Sequence, residues 1–258
     1  MITAIIQART GSTRLPQKVL LPILGKPMLQ HQIERLKHAK TIDTLIVATT
    51  DAAADDRVEN LAQLLNVECF RGSENDVLDR YYKAAKNGGA DIIVRITGDC
   101  PLHDPKIVDE VVMHFEKSGV DYLVQPQNYP EGFDTEICRF AALERAWKEA
   151  QLPSEREHVM PYIRNHPELF KVEKGWRVGK DDNSSIHGSV DTERDFLFVS
   201  TIYERLYKTD SIFTMRDVID LLQREPALLE INNGGTGFEG LEKSLREDEE
   251  WKKAHGEE

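Results

Sequence analysis

The sequence predicts a three-layer αβα fold, with helices on both faces of a mostly parallel central sheet. Short β-rich apolar runs alternate with helical periods through the first half of the 258 residues, an order that gives parallel strand neighbours and right-handed crossovers. The runs are apolar continuously, not at every second position, which is the pattern of strands covered on both sides. A third observation sets the domain count. There is no internal repeat and no Gly/Ser-rich linker, so residues 1–258 are expected to form a single domain.

The strands are expected at "ITAII" (2–6), "TLIVATT" (44–50), "ADIIVRIT" (90–97) and "VDYLV" (120–124). Between them lie amphipathic helices. Pro27 suits a first helical turn, and Leu29, Ile33 and Leu36 recur at i, i+4, i+7. Val58, Leu61, Ala62 and Leu65 repeat the period, as do Val77, Leu78, Tyr81 and Ala85. Ile107, Val108, Val111, Val112 and Phe115 make the cleanest stripe. After residue 125 the rhythm breaks. "QPQNYPEGFD" (125–134) reads as loop, a helix follows near 139–150, and Ser154 with Glu157 forms a capping box for "SEREHVMPYIRNH", which Pro161 should kink or restart. Residues 126–185 are therefore expected to leave the sheet as an inserted arm, a possible oligomerisation element. "SIHGSV" (185–190) reads as a returning strand, followed by helices near 194–207 and 214–224. The tail 242–258 is charged on all sides and is expected to be a solvated helix or a frayed end.

A net charge of −12 disfavours a nucleic-acid backbone as partner, because such binders carry a basic face. No run approaches the ~18 apolar residues of a membrane span, and "MITAIIQAR" lacks the basic start and long apolar stretch of a signal peptide. Cys69, Cys100 and Cys138 have no metal-type spacing and are expected to be reduced thiols of a cytoplasmic protein, with Cys100 a small buried residue.

Ligands of open parallel sheets bind beyond the carboxyl ends of the strands. Three segments deliver chemistry to that edge. Arg9, Arg14 and Lys18 are strung through a Gly/Ser/Thr loop directly after the first strand. The loop is neither a Walker A motif nor G-x-G-x-x-G. Gly11 lets its backbone bend so that amides form an anion-binding concavity, and the cations add charge, Arg as a two-pronged grip and Lys as a mobile point. A merely solvated basic loop is the plain alternative. In "RITGDCPLHDP" (95–105) a strand ends at Thr97, Gly98 turns, and Asp99 is left at the edge, where a carboxylate suits Mg²⁺ together with substrate phosphates; a turn or cap role is the alternative. In "IHGSVDTERDF" (186–196) Asp191 precedes Thr192, a helix N-cap, and is either a second metal ligand or part of the cap.

The order "ARTGSTRLPQKVL", "RITGDCPL", "SVDTERDF" resembles the cytidylyltransferases that activate acidic sugars, the superfamily of CMP-Kdo and CMP-sialate synthetases. "SENDVLDRYYKAA", "EGFDTEI" and "REHVMPYIRNHPELF" are similar to its branch named for spore coat polysaccharide biosynthesis protein F, and the likeness runs from the first strand to about residue 224. The resemblance implies a nucleotide-diphospho-sugar transferase-like fold, CTP and a sugar as substrates, Mg²⁺ as cofactor, and a homodimer paired through the arm. It assigns Ala8, Arg9, Gly11, Ser12, Arg14 and Lys18 to the nucleotide triphosphate, and Arg95, Thr97 and Gly98 to the nucleoside. Arg14, Lys18 and Asp99 are its catalytic residues, and Asp99 and Asp191 its Mg²⁺ ligands. Asp134, Glu136, Arg156 and His158 become candidates for the sugar side or a subunit contact.

One departure is visible. The family carries Gly where this chain has Gln17, so a positive φ there would strain Gln17 and shorten the reach of Lys18. Three rival readings remain, one of them a module whose acidic surface serves a protein partner through the helix at 139–166. A nucleotide-sugar glycosyltransferase could share the sheet, but such enzymes place Asp-x-Asp after a strand and this chain has none. A non-catalytic nucleotide-binding protein could also keep the fold, yet it could dispense with a metal acid, and both candidate acids and the loop cations are present.

Overall fold

The structure is a computed structural model that describes residues 1–126, 129–179, 184–232 and 239–256, with side chains masked over 239–242. Positions 127–128 and 180–183 of the expected arm and 257–258 of the tail lie outside the described residues.

β1 (Ile2–Gln7) runs into the cationic loop, which ends in a single 3₁₀ turn. A two-residue ribbon, β2 (Pro22–Ile23) with β3 (Lys26–Pro27), leads into α1 (Met28–Leu36). Then follow β4 (Thr44–Thr50), α2 (Asp56–Leu64), β5 (Glu68–Gly72), α3 (Val77–Asn87), β6 (Ile92–Thr97), α4 (Pro105–Ser118) and β7 (Tyr122–Val124). Local chemistry fixes the helix starts. Asp76 accepts the Asp79 amide ahead of α3, and Asp104 accepts the Lys106 amide ahead of α4, where Pro105 fills the first helical position.

The sheet has seven strands in the order β5-β4-β1-β6-β8-β7-β9. β5, β4, β1 and β6 are mutually parallel. Alternate residues of the central strands feed two cores. Ile6, Val94 and Leu123 pack with Leu29, Val108 and Phe198, whereas Ile5, Ile46 and Ile93 pack with Tyr81, Leu143 and Met160 on the other face. Tyr81 donates its hydroxyl toward the carbonyls of Ile5 and Ile96, bracing β1 against β6 on that second face.

The expected excursion from the sheet needs correction. β8 (Glu136–Arg139) inserts between β6 and β7, antiparallel to both, and β9 (Val172–Lys174) pairs with β7 at the edge. Between them lie α5 (Phe140–Glu149), α6 (Pro153–His158) and α7 (Pro161–Asn165). The expected helix over 154–166 is thus two helices, broken at Val159, whose φ is 72°, with Pro161 opening the second. The Ser154–Glu157 capping box is also corrected. The cap of α6 is Leu152, two residues earlier, and it is the Glu155 carboxylate that accepts the Gln151 and Leu152 amides. "SIHGSV" forms no named strand; His187 makes an isolated bridge with Glu131.

α8 (Glu193–Leu206) and α9 (Met215–Arg224) both begin with Thr caps, as "VDTERDF" suggested for the first: Thr192 with Asp195, and Thr214 with Asp217. The tail is the helix α10 (Glu239–His255), and it is not solvated all round. Ser244 and Asp248 are buried against α6, where Asp248 accepts the Ser154 amide at 2.8 Å and Ser244 donates to Glu157 at 2.7 Å. All three cysteines are free thiols, Cys100 and Cys138 buried. Among the described residues no helix is long and apolar enough to cross a membrane.

Candidate active site

The loop after β1 is held from below. Thr10 is buried, and its amide and hydroxyl both donate to Asp55 Oδ1, at 2.7 and 2.6 Å; the Thr50 hydroxyl donates to Asp55 Oδ2. Burial would raise the Asp55 pKa, but these donors outweigh it and hold the carboxyl below its ordinary value. The Thr10 carbonyl in turn accepts the amides of Ser12 and Gln17, and the Ser12 hydroxyl accepts the Leu15 amide at 3.3 Å. A tight curl results. Gln17 closes it at φ 58°, the left-handed conformation the sequence raised, with its amide oxygen bound by Arg57 Nη1.

That strain does not shorten Lys18. Its ammonium crosses to the far wall and donates to Asp99 Oδ2, Asp191 Oδ1 and the Val190 carbonyl, each at 2.8 Å. Arg14 joins the same Asp191 oxygen at 2.8 Å. Burial opposes the charge on Lys18, but the two carboxylates prevail and its pKa is raised. Burial likewise pushes Asp99 up, and the Lys18 ammonium reverses this, holding the carboxyl at about 2.

Gly98 brings this about by closeness. Its amide donates to the Gln7 carbonyl at 2.8 Å, and a Cβ there would meet that oxygen at 2.8 Å and the Ala8 Cβ at 3.0 Å. The β6 terminus therefore lies flush against β1, with Asp99 opposite the loop. Asp191 arrives from the other side, because the Val190 amide donates to the Asp99 carbonyl at 2.8 Å.

Arg9 is half exposed and pairs with Glu74 at 2.6 Å; Gly11 lies beneath that carboxylate, an added Cβ coming 3.3 Å from it. Arg95 faces β8 and is bound by Glu136, which also accepts the Tyr122 hydroxyl. Arg95, Thr97, Cys100, His103, Asp134 and Glu136 line a small polar cavity on the β6–β8 side, joined to Asp99 through the Cys100 thiol at 3.5 Å. Burial raises the Asp134 pKa. Sequence reasoning passed over His103, although it stands within "RITGDCPLHDP". Its Nδ1 faces the Cys100 carbonyl at 2.8 Å and its Nε2 the Asp134 carbonyl at 3.0 Å, tying the two walls together. His158 is turned toward α10, its Nε2 3.0 Å from Ser244 Oγ; burial lowers its pKa, and the Arg95 and Glu136 charges also act on it. Arg156 is not brought to the cavity wall: its guanidinium is taken by Asp76 and the Trp147 carbonyl.

Two hard carboxylates converging on one cationic point, here the Lys18 ammonium, form a donor set that fits Mg²⁺, an ion that takes one or two protein carboxylates and leaves its remaining positions to water and phosphate. Among the described residues no group of three or more His, Cys, Asp or Glu is arranged to hold a metal by itself.

A family model described as Cytidylyltransferase matches residues 3–238, nearly the whole chain. The chain belongs to the cytidylyltransferase family. Within it, the chain is 34% identical over 239 residues to the spore coat polysaccharide biosynthesis protein SpsF of Bacillus subtilis, covering 87% of this chain and 95% of that one. It is 40% identical over 111 residues to 3-deoxy-manno-octulosonate cytidylyltransferase of Geobacter sulfurreducens, 43% of this chain and 44% of that enzyme. Among solved structures, a cytidylyltransferase from Leptospira borgpetersenii superposes with a TM-score of 0.84 at 35% identity, covering 91% of this chain and 98% of that one. The mostly parallel sheet flanked by helices is thus a nucleotidyltransferase-like fold of the kind the sequence implied.

Proposed function

We propose that this cytidylyltransferase transfers CMP from CTP to a hydroxyl of a sugar, an acidic sugar used in surface polysaccharide or glycan biosynthesis, and releases pyrophosphate. The observation that carries the proposal is the convergence of Arg14, Lys18, Asp99 and Asp191 at the carboxyl edge of β1 and β6. The relatives that bear the names of a polysaccharide biosynthesis protein and a sugar cytidylyltransferase support it.

The curled loop from Ala8 to Lys18 receives the triphosphate, its amides and the Arg9, Arg14 and Lys18 cations facing the phosphate oxygens. Thr97 and Gly98 bound the nucleoside side, while Arg95, bound to Glu136, belongs to the acceptor side together with Asp134. Asp99 and Asp191 would hold Mg²⁺, which would supply positive charge beside the α-phosphoryl group. In the reaction the sugar oxygen forms its bond to the α-phosphorus as the bond to the bridging oxygen of pyrophosphate breaks, and the hydroxyl proton is lost. Charge grows on the departing pyrophosphate, and Arg14 and Lys18, released from Asp99 and Asp191 when those acids take the metal, are the nearby cations that receive it. The protein pairs as a homodimer.

The test is pyrophosphate release from CTP, UTP, ATP and GTP against a panel of sugar acids, with and without Mg²⁺, alongside thermal shifts with each nucleotide. A CTP-selective shift with metal-dependent pyrophosphate release is expected. Release of a nucleoside diphosphate would instead indicate glycosyl transfer, and a folded protein that shifts with no nucleotide would refute the proposal.

A further inference from the structure

The Asp191 carboxylate is held by Lys18 and Arg14, two cations that the triphosphate would claim. Once they let go, the main chain around Asp191 must keep the carboxylate turned toward Asp99. That stretch is fastened at two places. The Val190 amide donates to the Asp99 carbonyl at 2.8 Å, and the Asp191 and Thr192 amides donate to Asp195 Oδ2 at 3.1 and 2.8 Å. The turn therefore hangs on the Asp195 carboxylate, which is buried.

The other oxygen of Asp195 looks toward a histidine that the proposed reaction does not use. His187 Nε2 lies 4.0 Å from Asp195 Oδ1 and 3.2 Å from Ser189 Oγ, while His187 Nδ1 lies 2.6 Å from Glu131 Oε2. The Ser189 hydroxyl donates its hydrogen to Glu131 Oε1 at 2.8 Å, so it offers the ring a lone pair. Both ring nitrogens thus face acceptors, an arrangement that the imidazolium satisfies in full and the neutral ring does not. The hydrogen bond to Glu131 raises the His187 pKa, burial opposes it, and the charges of Glu131, Asp195 and Asp191 add to the rise. The backbone around the ring is fixed as closely. The Gly188 amide donates to the Glu131 carbonyl at 2.9 Å, and the Asn232 side chain donates to the His187 carbonyl at 2.8 Å. Gly132, at φ 83°, lies so near that a Cβ there would meet the Gly188 carbonyl carbon at 2.5 Å. The loop of Glu131 and Asp134 is thereby tied to the loop that carries Asp191.

We propose that His187 is a positioning residue for the second metal-binding acid: clasped by Glu131, Ser189 and Asp195, its ring locks the turn from Gly188 to Thr192 so that Asp191 stays aimed at the Asp99 side when Lys18 and Arg14 release it. Groups that orient a metal ligand without touching the metal preserve its direction, and losing one weakens the metal more than it weakens the fold. His187 touches neither the nucleotide loop nor the reacting atoms; it acts through Asp195 and the main chain on Asp191. This inference rests on the reading of Asp99 and Asp191 as metal ligands of the cytidylyltransfer site.

The test uses Mn²⁺ as the probe, since electron paramagnetic resonance counts the free ion directly. Titrated into protein holding CTP, Mn²⁺ is expected to bind His187→Ala roughly 10–100-fold more weakly than wild type, the loss typical of removing a group that orients a metal ligand. CTP titrations followed by thermal shift in EDTA should track the wild-type curve, because the cationic loop is untouched. Asp191→Ala should weaken Mn²⁺ as well, and adding His187→Ala to it should cost nothing more, because a residue acting through Asp191 then has nothing left to position. A merely structural ring would weaken both backgrounds alike. Unchanged Mn²⁺ affinity in His187→Ala, or an equal further loss in the Asp191→Ala background, would overturn the inference. If His187→Ala fails to fold, Glu131→Gln decides alone: its side chain is 44% exposed, weaker Mn²⁺ binding is expected, and an unchanged curve would overturn the inference. Wild-type protein that shifts with CTP but binds no Mn²⁺ would overturn the metal assignment itself, and the inference with it.

Discussion

Lys18 Nζ and Asp99 Oδ2 lie 2.8 Å apart across the carboxyl edge of the sheet, although 81 positions separate the two residues in the chain. Lys18→Ala is expected to lower turnover by about 10²–10³, the loss typical of removing one preorganised donor at developing charge. Steady-state pyrophosphate release at saturating CTP measures it. Turnover within a few-fold of wild type would take Lys18 out of the mechanism.

The same contact makes stability depend on acidity. Asp99 is held at about 2, below its ordinary 3.8, so its contribution is complete above the unfolded value and is lost as pH falls from about 4 toward 2. Lys18 is raised, so its share persists through neutral pH and fades only as pH climbs through its folded pKa, above 10.5. Urea midpoints taken between pH 5 and pH 2 should show the acid loss in the wild-type protein. In Lys18→Ala the Asp99 carboxyl loses the charge that holds its pKa down while burial still pushes it up, so this acid loss should shrink or reverse; identical profiles would contradict the coupling.

Asp55→Ala leaves the buried Thr10 amide and hydroxyl without an acceptor, and Thr50 loses its partner too. A destabilisation of roughly 2–4 kcal/mol is expected, in the range of several unmade buried hydrogen bonds. Nucleotide affinity should fall with it, because Thr10 anchors the curl that carries Arg14 and Lys18. Paired denaturation and CTP titrations check both effects.

Gln17→Gly should stabilise the protein by about 0.5–1 kcal/mol. The left-handed backbone at φ 58° costs a side-chain-bearing residue about 1–2 kcal/mol, and glycine's greater freedom in the unfolded chain returns part of that. A denaturation midpoint lower than wild type would mean that the exposed Arg57–Gln17 hydrogen bond matters more than the strain.

Gly98→Ala should cost about 1–3 kcal/mol and lower activity out of proportion to stability. The added Cβ would press on the Gln7 carbonyl and Ala8, and relief requires the β6 terminus to lift, taking Asp99 with it. Melting temperature and turnover measured on one sample separate the two effects.

What the sequence revealed follows from how local each signal is. β1, β4 and β6 announce themselves as unbroken apolar runs, and the helices through their stripes, because each is long enough for its period to show. β5 escaped notice because "ECFRG" is an edge strand, nowhere fully buried and only partly apolar. β8 escaped because "EICR" has charged residues at both ends, and the charge on Glu136 is met by Arg95 and the Tyr122 hydroxyl on the two neighbouring strands. The loop cations, Gly98 and Asp99 were legible because their chemistry lies within one short segment each. The surroundings of Arg156 were hidden for the opposite reason: its partner Asp76 is 80 positions away, and nothing near it in the chain reveals that pairing.

The insertion of β8 between β6 and β7 also bears on how the molecule is made. Residues through Thr97 can assemble β5, β4, β1 and β6 as the chain leaves the ribosome, since every one of those pairings is already encoded. β7 emerges next but has no seat, because its neighbours β8 and β9 are still unsynthesised. The half-built sheet exposes the β6 edge until residues 136–139 arrive, the interval in which a nascent chain is most open to wrong pairing. Asp191 comes later still. A growing chain therefore presents Lys18 with only one of its two acids until Asp191, roughly three quarters of the way along the chain, has been made.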